Sequence, residues 1–331
     1  MNTSGNETHV IFGSGPIGLA LMKVLASQGK RVRIINRSGA LPQAVPPGVE
    51  LRRGDAADPD AARALCQGAV VVYNCANPAY TEWPEKFPPL QAGVLAGAAS
   101  VGAKLVAMEN VYMYGPTGGR PMTEDLPYAA TSRKGRVRAR LAEELLAAHA
   151  AGKVRVAIGR ASDFFGPGAL QSTSGERMFA PALAGKTVQV LGNPDLLHTY
   201  TYVPDIASGL AILGQRDEAL GQAWHLPSAQ TITTRQFIEQ ICQMNHQKPH
   251  IQAAPRLLIQ ALGLFNPLMR ELVEMLYEFE EPFIVDNTRF GKTFGDIATP
   301  LPEAIRCTAQ WFLERAGKLN GSALPAPDAQ A

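Results

Sequence analysis

The stretch His9–Gly18 constrains the fold of this chain more than any other, because it joins a strand pattern, a glycine turn and a helix pattern. Its apolar start predicts a buried strand, glycines follow at the spacing G-x-G-x-x-G, and residues 19–27 continue with helical periodicity. In such a turn Gly13 permits the tight bend, Gly15 leaves room for a pyrophosphate, and Gly18 lets the helix pack closely on the strand. The free amides at the helix N-terminus then face the phosphates. The pattern predicts a dinucleotide site, with an ordinary tight turn as the alternative.

Size and composition narrow the class of protein. The 331 residues fit one large domain or two closely joined ones, and a hydrophobic fraction of 46% suffices for a substantial core. A net charge of +2 argues against nucleic-acid and membrane partners. Apolar runs stay below the roughly 18 residues of a transmembrane helix, and the polar first residues lack a signal-peptide core. The four cysteines have no zinc spacing, so we expect no metal, free thiols and a cytoplasmic protein.

The end of the second predicted strand, Arg31–Asn36, bears on the choice of cofactor. About 20 residues after the glycines, NAD-binding proteins usually carry an acidic residue that accepts hydrogen bonds from the adenosine ribose. Asn36, Arg37 and Ser38 stand there in this chain, and a guanidinium suits a 2′-phosphate that no carboxylate repels. We therefore predict NADP as the cofactor, with NAD as the second choice. The alternative is that Arg37 is a solvated loop residue.

Strand and helix patterns alternate along the first half of the chain. Buried-type strands are predicted over 49–55, 69–76 and 104–108, with helical stretches between them. This alternation predicts an α/β fold with a doubly wound parallel sheet and right-handed crossovers. Asp55, after the third strand, either accepts a hydrogen bond from the adenine amino group or caps the helix that starts near Asp58.

The cofactor is expected at the carboxyl ends of the strands, where open α/β sheets bind their ligands. Small side chains after the strand at 69–76 would let the ribose pass close to the backbone. The predicted cofactor-binding residues are Gly13, Ser14, Gly15, Pro16, Ile17, Gly18, Asn36, Arg37, Ser38, Asp55, Ala56, Cys75, Ala76, Asn77, Ala161 and Phe164.

Several segments carry a resemblance to a known family. They are the glycine turn, the Gly-Asp pair after the third strand, the exit Asn74-Cys75-Ala76, the corner Met113-Tyr114-Gly115, Arg160–Gly168 and Thr201–Ala207. Over about residues 8–213 the chain is similar to the extended short-chain dehydrogenase/reductase superfamily, which contains the NAD-dependent epimerases and dehydratases. The family's glycine pattern is G-x-x-G-x-x-G, and its first glycine is Phe12 here. The resemblance implies a Rossmann sheet with a smaller C-terminal α/β substrate lobe.

The domain boundaries follow the same division. We assign residues 1–165 to the dinucleotide-binding Rossmann domain and residues 166–319 to a substrate-binding lobe interleaved with it. Residues 320–331 are small, Pro- and Ala-rich, and we expect a disordered tail there.

The residues that the resemblance assigns to catalysis depart from the family pattern. The family's Ser or Thr, five residues before the corner glycine, is Asn110, and ungapped counting puts Gly135 and Ala139 at the Tyr-x-x-x-Lys positions. A loop one residue shorter puts Lys134 and Arg138 there instead, on one helical face. Isoflavone-reductase-like members of the superfamily use a lysine without the tyrosine, which implies a proton-transfer role for Lys134. The alternative is a solvated or phosphate-facing basic surface.

The remaining candidate catalytic residues follow the corner. We predict that Asn110 orients a substrate carbonyl and that Lys134, or Tyr112 or Tyr114 in its place, moves the proton, with Arg138 completing the set. Aromatic side chains at the strand exits, Phe164 and Phe165 among them, either line an apolar pocket or belong to the core.

Two substitutions in the second half bear on the substrate. Asp163 replaces the family's substrate-holding Asn, and His198 stands where several nucleotide-sugar enzymes carry a diphosphate-clamping Arg. Both changes weaken a phosphate site, which disfavours nucleotide sugars. Asp205 is predicted to cap the helix that follows it. An amphipathic helix over 267–279 packs in the C-terminal lobe, covers the pocket or forms a homodimer contact.

Three functions remain open on this sequence. The first is NADPH-dependent reduction of a small or apolar carbonyl substrate by an oxidoreductase with a non-standard catalytic helix. The second is a catalytically silent NADP-binding protein with a regulatory or redox-sensing role. The third is a nucleotide-sugar epimerase or dehydratase.

Overall fold

The computed structural model describes residues 7–321, apart from the side chains of residues 258, 262, 267, 268 and 318–321. The strands, in chain order, are β1 (Thr8–Phe12), β2 (Arg31–Asn36), β3 (Val49–Arg53), β4 (Ala69–Asn74), β5 (Lys104–Glu109), β6 (Arg155–Arg160), β7 (Asp163–Phe165), β8 (Val188–Leu191), β9 (Leu197–His198), β10 (Tyr200–Tyr202), β11 (Ala223–His225), β12 (Ile232–Thr233) and β13 (Ile251–Ala254).

The helices, again in chain order, are α1 (Pro16–Ser27), α2 (Pro59–Leu65), α3 (Trp83–Ser100), α4 (Arg133–Ala150), α5 (Glu176–Leu183), α6 (Val203–Gln215), α7 (Thr234–Gln243), α8 (Arg256–Gly263), α9 (Pro267–Val273), α10 (Tyr277–Glu280), α11 (Thr288–Phe294) and α12 (Leu301–Gly321). Short 3₁₀ turns lie at Tyr80–Glu82, Tyr112–Tyr114 and Asp217–Ala219. No helix within residues 7–321 is long and apolar enough to cross a membrane. The predicted tail begins in the last turn of α12, and residues 322–331 lie outside the described part of the chain.

The central sheet has seven strands in the order β11-β6-β5-β4-β1-β2-β3. Neighbouring strands are parallel throughout, which confirms the predicted doubly wound sheet. The order reverses between β1 and β4, and such a switch point opens a crevice at the carboxyl ends of the strands. Strand β11, beyond residue 165, forms the edge of this sheet next to β6.

Helices cover both faces of the sheet because the strands carry apolar side chains on both sides. On one face α1, α6 and α11 bury a cluster that includes Leu21, Leu210 and Phe290. On the other face α2, α3 and α4 bury a second cluster with Val94 and Leu145. Phe12 belongs to this second cluster, so the side chain at the family's first glycine position points into the core and leaves the turn open.

The C-terminal lobe has its own core between α5, α7 and α12. Its centre is a set of stacked and edge-on aromatic rings contributed by Phe165, Phe179, Phe237 and Phe312. Phe165 is therefore a core residue, the second of the two alternatives for the aromatic side chains at the strand exits.

Two local predictions are wrong, and one of the two alternatives for Asp55 is excluded. Asp205 lies inside α6 and accepts hydrogen bonds from the backbone and hydroxyl of Thr299 at 2.9 and 2.7 Å, so it ties α6 to the start of α12 rather than capping α6. Asp58 caps α2, and Asp55 does not. The helix predicted over 267–279 is two helices, α9 and α10. The turn between them is 3₁₀-like, because the amides of Met275 and Leu276 each donate to the carbonyl three residues earlier.

Candidate functional site

The glycine turn between β1 and α1 has the geometry that its sequence predicts. Gly13 adopts φ +102°, and a Cβ on it would lie 2.6 Å from the Ala76 nitrogen, so only glycine fits where β1 and β4 end side by side. A Cβ on Gly18 would meet the Gly13 carbonyl oxygen at 2.1 Å. A Cβ on Gly15 would meet nothing within 4 Å. Open space therefore faces the first amides of α1, which have no helical acceptor of their own.

The end of β2 is joined to the glycine turn through one side chain. Asn36 donates a hydrogen bond to the Ser14 hydroxyl at 2.8 Å and accepts one from the Ser38 hydroxyl at 3.1 Å. Arg37 is exposed and forms no ion pair with any described residue. Arg53, opposite Asn36 in the β2–β3 register, is also exposed and unpaired among the described residues. Two guanidinium groups are thus available at the place expected for the adenosine ribose.

Arg53 belongs to this surface by packing as well as by register. Its Cβ lies 3.1 Å from where a Cβ would stand on Gly39, in the turn that follows β2. The sequence reasoning considered only the end of β2 and missed this residue. The signal was present, because in a parallel sheet the end of the neighbouring strand reaches the same edge.

The other predicted cofactor residues lie at the ends of β3, β4 and β6. Asp55 is exposed, and its carboxylate accepts a hydrogen bond from the Ala57 amide at 2.9 Å, while Ala56 is buried beneath it. Cys75 donates its amide to the Phe12 carbonyl at 2.8 Å, and burial raises the pKa of its thiol to about 12. Ala76 is half-buried, Asn77 is exposed, Ala161 is buried and Phe164 is half-buried. A Cβ on Gly168 would lie 3.6 Å from the Cβ of Pro16, which places the loop after β7 against the start of α1.

Two basic residues of helix α4 point toward the interior of the protein. Ser132 caps it by accepting a hydrogen bond from the Gly135 amide at 3.0 Å. Lys134 and Arg138 share one face of the helix, as their spacing of four predicts, and that face is buried. Lys134 is fully buried and forms an ion pair with Glu271 of α9, and its ammonium lies 4.1 Å from the centre of the Tyr80 ring.

Arg138 is held by aromatic rings rather than by a carboxylate. Its guanidinium carbon lies 4.4 Å from the centre of the Trp83 ring and 4.2 Å from that of Phe87. Burial lowers the pKa of Arg138 to about 10, although Glu109 opposes this effect. Lys134 and Arg138, the candidates for the Tyr-x-x-x-Lys positions, thus both have fixed partners.

Asn110 and Tyr112 remain the polar groups at the exit of β5. Asn110 accepts the Tyr112 amide at 3.3 Å, and its own amide nitrogen has no hydrogen-bond partner among the described residues. Tyr112 is half-buried, and the centre of its ring lies 6.0 Å from that of Trp83. Burial raises the pKa of Tyr112 well above its usual value, so its phenol is neutral near pH 7.

The Tyr114 side chain is buried, and its hydroxyl contacts Arg160 and His225. Its hydroxyl accepts a hydrogen bond from Arg160 at 2.7 Å and lies 2.9 Å from the His225 Nε2 atom. Burial raises the pKa of Tyr114 to about 12. The side chain is 2% exposed, and we assign it no part in substrate binding.

Asp163 and His198, which the resemblance puts at substrate-holding and diphosphate-clamping positions, contact each other. His198 and Asp163 lie 3.1 Å apart, from Nε2 to Oδ2. The His198 ring stacks on Phe279 and Phe283 at centroid distances of 5.5 and 5.0 Å and lies 4.8 Å from Tyr200. This pair is enclosed by aromatic rings.

Carboxylates from α9 and α10 complete the site, and the sequence reasoning missed them. Glu271 bridges Arg133 and Lys134, and Glu274 accepts the Arg133 amide at 2.7 Å. Glu278 is 1% exposed, and its Oε1 atom has no hydrogen-bond partner among the described residues. Glu271 lies on α9, Glu274 in the turn that follows it and Glu278 on α10. No cluster of three metal-binding side chains occurs among the described residues.

The comparisons with known proteins agree with this geometry. The profile of the NAD dependent epimerase/dehydratase family matches residues 10–226. No curated protein matches the chain by sequence. Among solved structures, an epimerase from Methanothermobacter thermautotrophicus is similar with a TM-score of 0.79 and 16% identity, and 96% of each chain is covered.

Two further solved structures are similar over nearly their whole length. A dTDP-glucose 4,6-dehydratase from Bacillus anthracis in complex with NAD has a TM-score of 0.75 and 15% identity, with 94% of this chain and 98% of that chain covered. A UDP-glucose 4-epimerase from Thermotoga maritima with UDP-glucose has a TM-score of 0.76 and 14% identity, with 93% and 99% covered. At these identities the likeness shows the fold alone.

Proposed function

Because this chain belongs to the NAD dependent epimerase/dehydratase family, we propose that it is an NADP-dependent oxidoreductase that reduces a small or apolar carbonyl compound. The observation that carries the proposal is the open glycine turn together with two arginines, Arg37 and Arg53, at the ends of β2 and β3. Neither arginine forms an ion pair with a described residue. Gly13, Gly15 and Gly18 would hold the pyrophosphate, and Arg37 and Arg53 the 2′-phosphate.

We expect a small carbonyl substrate rather than a nucleotide sugar. His198 and Asp163 are paired and enclosed by rings, so neither is placed to clamp a diphosphate. NADPH, when bound, would supply the hydride that reduces the carbonyl carbon. The free amide of Asn110 would orient the carbonyl oxygen, and Lys134 or Tyr112 would supply the proton.

Turnover on a carbonyl panel tests this function. Purified protein is expected to oxidise NADPH with at least one aldehyde or ketone of the panel, and Asn110→Ala and Tyr112→Phe are expected to lower that rate. Undiminished turnover in Lys134→Ala would remove Lys134 from the mechanism. Stabilisation by UDP- or GDP-sugars in a thermal shift assay, without turnover of carbonyls, would favour a nucleotide-sugar enzyme instead.

A second candidate is a catalytically silent NADP-binding protein. The observation that favours it is the engagement of Lys134 with Glu271 and of Arg138 with Trp83 and Phe87, which leaves neither side chain free. Cofactor binding without turnover on the whole panel, together with unequal affinities for NADP and NADPH, would support a sensing role. Equal affinities would contradict it.

A further inference from the structure

The most exposed apolar side chains of the described residues lie on α8 and in the turn that follows it. Leu257 is 79% exposed, Leu264 71% and Phe265 90%. The other exposed large apolar side chains of the described residues reach at most 42%, and they are Val45, Val70, Leu197 and Leu313. Water around apolar groups of this size costs free energy, and a patch of them marks an interaction surface.

The three side chains form one outer surface. Leu264 follows the last residue of α8, and its spacing of seven from Leu257 continues one helical face by two turns. Phe265 comes next, in the turn. Ile259, on the opposite face of α8, is buried. Helix α8 thus buries an apolar residue on its inner face and still carries apolar side chains on its outer face.

Arg270 of α9 fixes the turn between α8 and α9. Its Nε atom donates to the Gly263 carbonyl at 3.2 Å, and its Nη2 atom donates to the Leu264 carbonyl at 3.4 Å. The Arg270 amide donates to the Asn266 carbonyl at 3.1 Å. Carbonyls at the end of α8 are therefore satisfied within the protein, while the side chains of Leu264 and Phe265 stay in solvent.

The segment that carries this surface is basic. No Asp or Glu occurs in residues 240–270, whereas Lys248, Arg256 and Arg270 do, and all three are exposed. Arg256 is paired with Glu280 at 2.5 Å, but Lys248 and Arg270 form no ion pair with a described residue. The net charge of +2, from which we expected no membrane partner, is a sum over the whole chain and hides this local excess.

The acidic side chains that follow the segment contact other parts of the protein. Glu271 pairs with Arg133 and Lys134 of α4, and Glu274 accepts a hydrogen bond from the Arg133 amide. Glu278 is buried. These carboxylates are turned toward α4 or the interior, so they do not neutralise the outer surface of α8.

An anionic lipid surface matches both properties of the segment. Leucine and phenylalanine side chains bury well at the boundary between headgroups and acyl chains, and basic side chains attract the phosphates above it. A second copy of the chain matches less well, because a two-fold contact would bring the same basic side chains of both copies together without an acidic partner. Phe265 also projects from a turn, a shape that enters a lipid surface without a matching groove.

We propose that α8 and the turn after it dock this protein on a membrane surface that contains anionic phospholipids. Leu257, Leu264 and Phe265 enter the interface between headgroups and acyl chains, and Arg270 faces the phosphates, with Lys248 adding to the positive charge. Contacts of this size give reversible binding rather than permanent anchoring. Lipid binding is measured without turnover, so this inference does not depend on the proposed oxidoreductase function.

Sedimentation of the full chain with vesicles tests the proposal. Vesicles of phosphatidylcholine and phosphatidylglycerol in equal amounts should bind the protein, and vesicles of phosphatidylcholine alone should bind it at least about fivefold more weakly. The double variant Leu264→Ser, Phe265→Ser should bind the mixed vesicles at least about tenfold more weakly, because it removes most of the apolar surface. Lys248→Gln should weaken binding about fivefold.

Leu313→Ser is the matched control. It removes an exposed leucine from α12, outside the basic segment, and should leave vesicle binding unchanged. Thermal unfolding at the wild-type temperature shows that each variant is folded. Leu257→Ser, on α8 itself, tests the same surface without changing the turn and should also weaken binding.

The outcomes are distinct. A wild-type protein that does not sediment with the mixed vesicles would overturn the proposal, and so would a double variant that binds them as tightly as wild type. Analytical ultracentrifugation without lipid detects the alternative occupant. A concentration-dependent dimer that the double variant abolishes, in a protein that binds no vesicles, would assign the surface to a second copy of the chain instead.

Discussion

Arg37 and Arg53 are the side chains on which we expect the choice of cofactor to depend. A 2′-phosphate between them would gain charge-assisted hydrogen bonds worth about 1.5–3 kcal/mol each. We therefore expect NADPH to bind at least about tenfold more tightly than NADH. Arg37→Ala should move the ratio of the two affinities toward one while leaving NADH affinity nearly unchanged, and Arg53→Ala should act in the same direction. Calorimetric titration of both cofactors measures the ratio.

Arg52 provides a control from the same strand. Its guanidinium is paired with Glu50 at 2.6 Å, so it is not available to a phosphate. Arg52→Ala should leave the affinity ratio at its wild-type value. Tighter binding of NADH than of NADPH by the wild-type protein would show that Arg37 points into solvent and that Asn36 reads the ribose hydroxyls.

The contact between α4 and α9 depends on a buried ion pair. Lys134 has no exposed surface, and the Glu271 side chain is 11% exposed. Removing one partner of such a pair leaves an uncompensated charge, so Glu271→Ala should destabilise the protein by about 3 kcal/mol. The double variant Lys134→Met, Glu271→Leu should recover most of this loss, because it removes both charges. Urea unfolding of the three proteins gives the comparison.

A surface pair on the same helix calibrates this effect. Arg140 and Glu144 form an ion pair at 2.7 Å with 67% and 43% of their side chains exposed. Glu144→Ala should change the free energy of unfolding by less than about 0.5 kcal/mol. A Glu271→Ala variant no less stable than Glu144→Ala would mean that α9 does not depend on its ion pair with Lys134.

The joint between the sheet and the C-terminal lobe depends on a neutral histidine. His225 ends β11, accepts from the Tyr114 hydroxyl through Nε2 and donates through Nδ1 to the Asp286 carbonyl at 2.8 Å. Burial lowers the pKa of His225 to about 4, and the nearby charge of Arg160 acts in the same direction. The hydrogen bond to the Asp286 carbonyl opposes this shift. Protonation would break the bond from Tyr114, which Nε2 can only accept when it is unprotonated.

We predict from this an acid-dependent loss of stability. The unfolded chain takes up a proton on His225 near pH 6.5, whereas the folded protein resists it down to about pH 4. Between these values the unfolded chain binds more protons, so the free energy of unfolding should fall by about 3 kcal/mol from this group as the pH falls. His225→Gln should make that decline smaller by the part that His225 contributes, measured by urea unfolding at pH 7, 5.5 and 4.5.

His250 is the control for this pH dependence. Its side chain is exposed, so water solvates it in the folded and the unfolded protein alike. His250→Gln should keep the wild-type acid decline. A wild-type protein whose stability is flat from pH 7 to 4.5 would contradict the role given to His225.

Local patterns were enough to predict the parallel sheet and its glycine turn. The strand Arg31–Asn36 begins and ends at the predicted residues, and Gly13 and Gly18 are held where no Cβ fits. Glycine spacing and apolar periodicity act over a few residues, so the sequence alone expresses them. The inward position of Lys134 and Arg138 follows from the same helical period.

Only the tertiary structure decided which side chains contact these buried residues. Arg133 and Lys134 both pair with Glu271, because α9 returns from the C-terminal lobe to the start of α4. Their partner lies far away along the chain, and no local period encodes which distant segment covers a buried group. Asp205 shows the same limit, since the local rule predicts a helix cap and packing gives it Thr299 instead. The sequence by itself therefore determined the sheet and its glycine turn, whereas the partners of the buried side chains depend on tertiary packing, which exists only in the folded chain.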